Sequence, residues 1–396
     1  MLNPDFQPTA DSEMKRRHDL ILGAMAEKGI DAIVMYNYGD MVAGVFKYAT
    51  DTSFAYPLAA LLCAEGIAFF RHGGDTPYNA DIPFESKGEQ LPIRNWTCPF
   101  LPGINYLSKR YPEAMTYFIK NRSFKKIGWA GLNYIPANIY QYLIENNPNV
   151  EFVDFTEDMD DIRLVKSEWE IQRFMRCVDL HDRLIMACRS MIRPYLTTHQ
   201  LHLSIMDAAA HLGATEFNTH LINHWRDGVT LDTDSQILPG DYLYVLIEVA
   251  GVGGEWGECA RLFRLGEEPE QKYIDISNNL LRIQDTIAAV CKPGAIPEDI
   301  FRLHNKMMTE CGYNIERRLS IHGQTYDIVD LPLFTLGDKK PLKENIFFTI
   351  HPTYYTSAIC NFKDGPCFNY TDNFLVGKNG AKILSKTPRE IITIGI

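Results

Sequence analysis

Three glutamates cluster around a glycine-rich turn in the segment VLIEVAGVGGEWGECARLF, which runs from residue 245 to residue 263. Glu248 ends an apolar run, and Glu255 and Glu258 follow the turn. Carboxylates in apolar surroundings are rarely buried unless they are paired, hydrogen-bonded or bound to a metal ion. The segment therefore predicts a buried hairpin that binds a metal ion or transfers protons, with Glu255 on the turn in solvent.

The composition limits the classes of protein to which this chain can belong. Its 396 residues are 46% hydrophobic and 22% charged, which is typical of about two globular domains. A net charge of -11 without a basic stripe argues against a nucleic-acid partner. Nine cysteines without a CxxC pair favour reduced thiols. With no signal-like or membrane-spanning run, we expect a cytoplasmic protein without a membrane partner.

The first half of the chain alternates helices and strands. An amphipathic helix over residues 12–29 leads into the strand DAIVMY, and residues 53–74 read as two strands joined by an Ala-Glu-Gly turn. KKIGWAG and VEFVDF are further strands that flank the helix IPANIYQYLIENNPN. This order predicts an α/β domain with a mostly parallel sheet.

A capped helix separates this half from the second half. Ser167 and Glu170 form a capping-box pattern at its start. We therefore place an N-terminal domain at residues 1–160 and a C-terminal domain at residues 161–396. The C-terminal domain reads as long helices and strand hairpins, with Asn379-Gly380 as a hairpin turn.

Six segments, in order, resemble the creatinase/aminopeptidase P superfamily, which is peptidase M24-like and has the pita-bread fold. The helix opening RLVKSEWEI resembles R-x-x-K-S-x-x-E-I, LPGDYLYVLIEV resembles the PGD strand, and ECARLF resembles D-x-T-R-T-F. IHGQTYDIVDLP, IFFTIHPTYY and TDNFLVGKNGAKILSKTPREI resemble the family's GHGIGLEVHE-P, MVFTIEP and EDTVLV segments. The resemblance implies an N-terminal creatinase-like α/β domain followed by a C-terminal pita-bread domain, α/β (α+β) in class.

The resemblance also implies that the set of site residues is altered. Metal-dependent members hold two metal ions with two Asp, one His and two Glu. The Asp positions fall at Glu248 and Glu258, one residue closer together than usual, and the histidine is His322. The first Glu position holds His351, and the second holds Thr371, which offers no anionic ligand.

Other positions of the resemblance carry further candidates. Asp372 stands beside Thr371. The family's catalytic histidine falls at Val329, and Asp330 follows it as a candidate catalytic residue. Arg261 keeps the family's arginine and is a candidate substrate-binding residue.

A dinuclear peptidase is not expected from this set, because two ions need bridging carboxylates. The residues that remain are Glu248, Glu258, His322 and His351. We expect them to be catalytic, and their types would suit one divalent iron, zinc or manganese ion. The alternative is that no metal binds. Each residue alone also has a structural explanation, such as a Glu258–Arg261 ion pair or core histidines.

Some relatives, creatinase and ectoine hydrolase, cleave C–N bonds without metal. His224 is a candidate for the acid–base role that creatinase gives to a nearby histidine, and His220 is a candidate substrate-binding residue. Tyr56 occupies the region where creatinase grips a substrate carboxylate with an arginine, and Tyr354 is a candidate pocket residue.

Three functions follow as hypotheses. The first is a homodimeric, non-peptidase hydrolase that cleaves a C–N bond of a small polar molecule. The second is a mononuclear-metal lyase or other non-hydrolytic enzyme on the same scaffold. The third is a catalytically inactive pita-bread binding protein.

Overall fold

The computed structural model describes residues 9–38, 43–51, 57–72, 93–98, 104–223, 235–317, 319–355 and 367–396. The chain divides into two compact units, with the boundary between Arg163 and Leu164. Both units combine helices with sheets, so the predicted mixed α/β class is confirmed. Among the helices of these described ranges, none is long and apolar enough to cross a membrane.

The N-terminal unit is built on a six-stranded sheet with the order β4-β3-β2-β1-β5-β6. Its strands are β1 (Ala32–Asn37), β2 (Leu58–Cys63), β3 (Gly66–His72), β4 (Ile93–Cys98), β5 (Lys126–Trp129) and β6 (Glu151–Asp154). Its helices are α1 (Asp11–Glu27), α2 (Gly44–Thr50), α3 (Ile104–Arg122), α4 (Ala137–Asn146) and α5 (Thr156–Leu164).

Most neighbouring strands of this sheet are parallel, as the sequence predicts. The β1–β5, β5–β6 and β3–β4 pairs are parallel. The β1–β2 and β2–β3 pairs are antiparallel. The turn between β2 and β3 explains one exception, because so short a connection can join only antiparallel strands.

The C-terminal unit begins with a helix whose start the sequence predicts correctly. The Ser167 hydroxyl accepts a hydrogen bond from the Glu170 N–H at 3.1 Å, and the Glu170 carboxylate accepts one from the Ser167 N–H at 3.0 Å. The helices of this unit are α6 (Glu168–Met191), α7 (Thr198–His211), α8 (Gln271–Val290) and α9 (Pro297–Glu310).

Two sheets carry the C-terminal unit. A four-stranded sheet has the order β17-β9-β8-β7, and a five-stranded sheet has the order β11-β10-β12-β15-β16. β13 and β14 form a separate two-stranded sheet. The strands are β7 (Glu216–Asn223), β8 (Tyr242–Ala250), β9 (Trp256–Leu265), β10 (Ile321–Gly323), β11 (Asp330–Leu333), β12 (Phe347–Ile350), β13 (Thr353–Tyr354), β14 (Phe368–Asn369), β15 (Asp372–Gly377), β16 (Gly380–Ile383) and β17 (Ile392–Ile394).

The hairpin β8–β9 has two different faces, because side chains alternate along a strand. Leu243, Val245 and Ile247 share a core with residues of α6 and α7. Tyr242 and Tyr244 share another core with α8, α9 and the five-stranded sheet. Glu248 continues the second series, so the hairpin points its glutamates toward the five-stranded sheet.

Candidate metal centre

The hairpin β8–β9 brings two glutamates together. Glu248 and Glu258 are directly opposite each other in the antiparallel register. Opposite residues on one face of such a pair lie close enough for their side chains to interact. Glycines form the turn between the strands, and Gly254 has a φ of +84°, a left-handed conformation that favours glycine.

His322 reaches the same place from β10. It is buried, and its Nδ1 lies 3.0 Å from the Gly323 carbonyl oxygen. A carbonyl can only accept, so Nδ1 carries the proton and donates, and Nε2 keeps its lone pair. Metal-binding histidines are oriented in this way by a bond from the other ring nitrogen.

His351 follows directly after the neighbouring strand β12. Its backbone N–H donates to the Ser320 carbonyl at 2.8 Å. Its ring lies with its centroid 5.2 Å from that of His322, at an interplanar angle of 64°. The pairing of β10 with β12 therefore places both imidazoles side by side.

Glu258 and the two histidines form a cluster that could hold a metal ion. One ligand atom from each lies within 4.8 Å of the other two. Glu258 Oε1 is 3.5 Å from His322 Nε2 and 3.9 Å from His351 Nε2. This oxygen is buried and accepts no hydrogen bond within the part of the chain that the structure describes. Two imidazoles, one carboxylate and an orphaned oxygen fit one divalent transition-metal ion.

Burial gives the two glutamates unusual proton affinities. The pKa of Glu258 is raised to about 8, chiefly by burial. His322 lowers this pKa in part, and Glu248 raises it. Burial also raises the pKa of Glu248 to about 7, while a hydrogen bond with Glu258 lowers it. Two adjacent carboxyl groups resist simultaneous ionisation, and a bound cation would relieve that resistance.

Glu248 is not one of the three clustered residues, although its carboxyl group is hydrogen-bonded to that of Glu258. The Glu248 carboxylate accepts a hydrogen bond from Asn218 Nδ2 at 2.8 Å. Among the described residues, the cluster comprises three of the four predicted ligands, Glu258, His322 and His351, and a ligand role for Glu248 stays a prediction. Glu248 remains beside Glu258 as the neighbouring carboxyl group.

The segment that carries the family's second Glu position supplies no carboxylate for a second ion. Thr371 is neutral, and its hydroxyl donates to Asn369 Oδ1 at 2.8 Å. Asp372 is fully buried and pairs with Arg261 at 2.7 Å and with Arg389 at 3.6 Å. The donor set therefore fits one ion and does not fit two.

Arg261 is not available to a substrate, which corrects the prediction of a binding role. It is fully buried, and all five of its N–H donors find protein acceptors. These acceptors are the Asp372 carboxylate and the carbonyl oxygens of Ala260, Thr371, Thr387 and Pro388. The alternative Glu258–Arg261 ion pair is also wrong, because the partner of Arg261 is Asp372.

Asp330 lies outside the metal cluster. One carboxylate oxygen accepts from the Thr325 hydroxyl, and the other accepts from the Leu331 N–H at 2.7 Å. Asp330 pairs with Gly323 in the β10–β11 ladder, one residue from His322. These contacts hold the strand that carries His322.

The other predicted substrate-binding residues are placed as follows. Tyr354 lies half-buried in β13, where its ring packs edge-to-face on Tyr313 with centroids 5.3 Å apart. His220 lies in β7, opposite Leu246, and its side chain is outside the description. His224 and Tyr56 lie outside the described residues.

Glu255 is not in solvent, and the prediction for it is wrong. Only 2% of the residue is exposed, and its carboxylate lies 2.8 Å from Arg173 Nε of α6. The Gly253 N–H also donates to it at 3.0 Å. Glu255 therefore fastens the turn between the two strands that carry Glu248 and Glu258.

Two residues near the site escaped the sequence analysis. The buried Tyr244 hydroxyl donates to Asn369 Oδ1 at 2.8 Å. Burial and the charges of Glu258 and Glu248 raise the pKa of Tyr244, so the hydroxyl keeps its proton. Tyr244 lies four residues before Glu248, so alternation along the strand could have predicted that both side chains point to the same side. Asn369 had no such signal.

Fold and site together define a two-domain α/β protein with a carboxylate–histidine centre between two sheets. The chain belongs to the M24 family, because residues 172–378 match the model of "Metallopeptidase family M24". The predicted superfamily is thereby confirmed.

The chain is similar to several characterised or solved proteins. The Xaa-Pro dipeptidase of Pyrococcus horikoshii is 25% identical over 248 residues, which are 61% of this chain and 68% of the relative. The Xaa-Pro dipeptidase of Pyrococcus furiosus is 24% identical over 61% of this chain and 69% of its own. The X-Pro aminopeptidase structure from Thermotoga maritima covers 95% of this chain and 99% of its own, with a TM-score of 0.78 and 16% identity. Structural similarity at this identity establishes the fold alone.

Proposed function

We propose that the protein is a hydrolase that cleaves a C–N bond of a small polar molecule at a single metal ion, and that it is not a dinuclear peptidase. Membership of the M24 family supports hydrolysis in general. The observation that carries the single-ion proposal is the cluster of Glu258, His322 and His351 around an orphaned carboxylate oxygen.

The three clustered residues would hold the ion through Glu258 Oε1 and two imidazole nitrogens. When bound, a divalent ion would supply Lewis-acid chemistry for polarising a carbonyl group and activating water. His322 is already oriented for this role by its bond to the Gly323 carbonyl. Iron, zinc and manganese all suit imidazole and carboxylate ligands.

Glu248 is assigned the proton transfer that cleavage of a C–N bond requires. It lies directly opposite Glu258, and Asn218 fixes one of its oxygens. A carboxyl group placed in this way can take a proton from attacking water and return it to the leaving nitrogen. Glu248→Gln should therefore lower kcat and leave the number of bound ions unchanged.

Metal analysis of the purified protein, combined with a substrate screen, tests the proposal. We expect one transition-metal ion per chain and turnover of small amides or amidines. Cleavage in H₂¹⁸O should place the label in the product, which separates hydrolysis from elimination. Two ions per chain with rapid cleavage of Xaa-Pro dipeptides would overturn the single-ion, non-peptidase proposal.

The predicted homodimer and the cytoplasmic location stay proposals as well. They rest on the resemblance to creatinase and on the composition of the chain. Light scattering of the purified protein measures the first, and a dimer mass near twice 45.2 kDa is expected.

A further inference from the structure

A chain of hydrogen bonds between uncharged side chains runs from β8 to His351. The hydroxyls of Tyr244 and Thr371 both donate to Asn369 Oδ1, each at 2.8 Å. Asn369 Nδ2 donates to Thr353 Oγ1 at 3.3 Å. The Thr353 hydroxyl then donates to the His351 carbonyl oxygen at 3.0 Å.

The direction of every bond in this chain is fixed by the inventory of protons. A hydroxyl has one proton to donate, and a carbonyl oxygen has none. The His351 carbonyl oxygen takes the single Thr353 proton, so Thr353 Oγ1 can only accept from Asn369. The amide therefore presents its nitrogen to Thr353 and its oxygen to the Tyr244 and Thr371 hydroxyls, which donate.

The same residues are tied to the strand that carries Glu258. Thr371 forms an isolated bridge with Ala260, two residues after Glu258 on β9. Thr353 and Asn369 are opposite each other in the β13–β14 pair. The chain therefore links the backbone of His351 to the hairpin that supplies the carboxylate ligand.

The backbone N–H and the carbonyl group of His351 are therefore both hydrogen-bonded. Its N–H donates to Ser320, and its carbonyl accepts from Thr353. Fixing both groups restricts the backbone from which the imidazole projects. A metal ligand has to be held within about 0.5 Å of its productive position.

We infer that Asn369 and Thr353 are positioning residues for the metal ligand His351. The inference rests on the proposed single-ion site and extends it to residues that touch neither ion nor substrate. Loss of a partner of the ligating side chain itself typically weakens metal affinity by about 10–100-fold, and we expect a partner of the ligand's backbone to act at the lower end of this range.

Three substitutions test the direction of the chain. Thr353→Val removes the hydroxyl at nearly constant shape, and Thr353→Ser keeps it as the matched control. Asn369→Asp replaces the donor nitrogen by oxygen, so Thr353 must turn its proton toward residue 369 and release the His351 carbonyl. Titration with Co²⁺ against a chromophoric chelator should show about 10-fold weaker binding for T353V and N369D, and wild-type affinity for T353S.

Wild-type affinity in both T353V and N369D would overturn the inference, as would equal weakening in T353S. If the wild-type protein binds no Co²⁺, the proposed ion fails, and the positioning inference is then measured in the metal-free protein. Imidazole ¹⁵N spectra, with His351 assigned from His351→Ala, should show a shifted signal in T353V and N369D and an unshifted signal in T353S. Unshifted signals in all three variants would reject the positioning role independently of the metal.

Discussion

Replacing Glu255 by alanine should destabilise the C-terminal unit strongly, although the sequence places this residue on a turn. Glu255 is 2% exposed and Arg173 is 7% exposed, and their charged groups are 2.8 Å apart. Removing one partner of a buried ion pair deprives the other charge of its nearest counter-charge, which costs about 3–5 kcal/mol. We therefore expect Glu255→Ala to lower the free energy of unfolding by about that amount.

The chain offers a matched control for this prediction. Glu267 also pairs with an arginine, Arg264, but the glutamate side chain is 64% exposed. Arg264 is as buried as Arg173, but it also pairs with Glu270 at 3.4 Å and donates to the Gly240 carbonyl oxygen. Loss of the exposed Glu267 partner should therefore cost about 1 kcal/mol or less, so Glu267→Ala should have a small effect. Urea unfolding of both variants measures the two free energies. Equal and small losses in the two variants would refute the assignment of a buried, stabilising pair to Glu255.

Three further predictions concern the metal centre and the response to acid. Adding Mn²⁺ at 100 times its Kd should stabilise the wild-type protein by about 2.7 kcal/mol in thermal unfolding, and the gain should vanish in His322→Ala; an equal gain in the variant would place the ion elsewhere. Burial lowers the pKa of His304 to about 4 from 6.5, so its neutral form contributes stability that is complete above pH 6.5 and is lost as the pH falls toward 4. Between pH 6.5 and 4, the free energy of unfolding should therefore fall less steeply in His304→Leu than in the wild type. The expected difference between the two slopes is about 1.4 kcal/mol per pH unit, and parallel curves would contradict the prediction. His351→Glu adds a carboxylate beside Glu258, so it should lower the melting temperature in chelator and make that temperature depend more strongly on Mn²⁺. His351→Gln should have neither effect. Identical melting of H351E with and without Mn²⁺ would count against the site.

The parts of the fold that could be predicted are those with local signals. The capping box at Ser167 needs only residues three positions apart, and both of its hydrogen bonds are present. The expected hairpin of β15 and β16 is present, but its two turn residues are Lys378 and Asn379, one position earlier than predicted, and Gly380 already pairs with Gly377 in the ladder. Local rules of this kind depend only on residues that are neighbours in sequence, so sequence analysis can apply them.

The parts that could not be predicted depend on partners far away in the chain. Glu255 pairs with Arg173 across 82 positions, and Arg261 pairs with Asp372 across 111. The sequence offered Glu258 as the partner of Arg261 because it is only three residues away. A guanidinium with five donors instead follows the acceptors that the tertiary fold supplies.

The metal ligands lie between these two cases. The order of the segments pointed to Glu258, His322 and His351, and the structure brings these three together. The sequence did not distinguish Glu248 from these three residues, since Glu248 and Glu258 lie on the same face of the hairpin. That distinction follows from the positions of the two histidines, which the five-stranded sheet sets.

Charge balance gives an independent reason for one ion in this site. The resemblance implies that two-ion relatives use four carboxylates, whose charge matches that of two divalent cations. Here the carboxylates beside the histidines are Glu258 and Glu248, and their two charges match one divalent cation. Asp372 adds nothing to this balance, because Arg261 neutralises it at 2.7 Å. A second divalent ion would leave two positive charges uncompensated in a largely buried site, at a cost of several kcal/mol per charge. The proposed limit of one ion would then follow from burial of charge, which is also the largest cause of the raised pKa of Glu258 in the metal-free site.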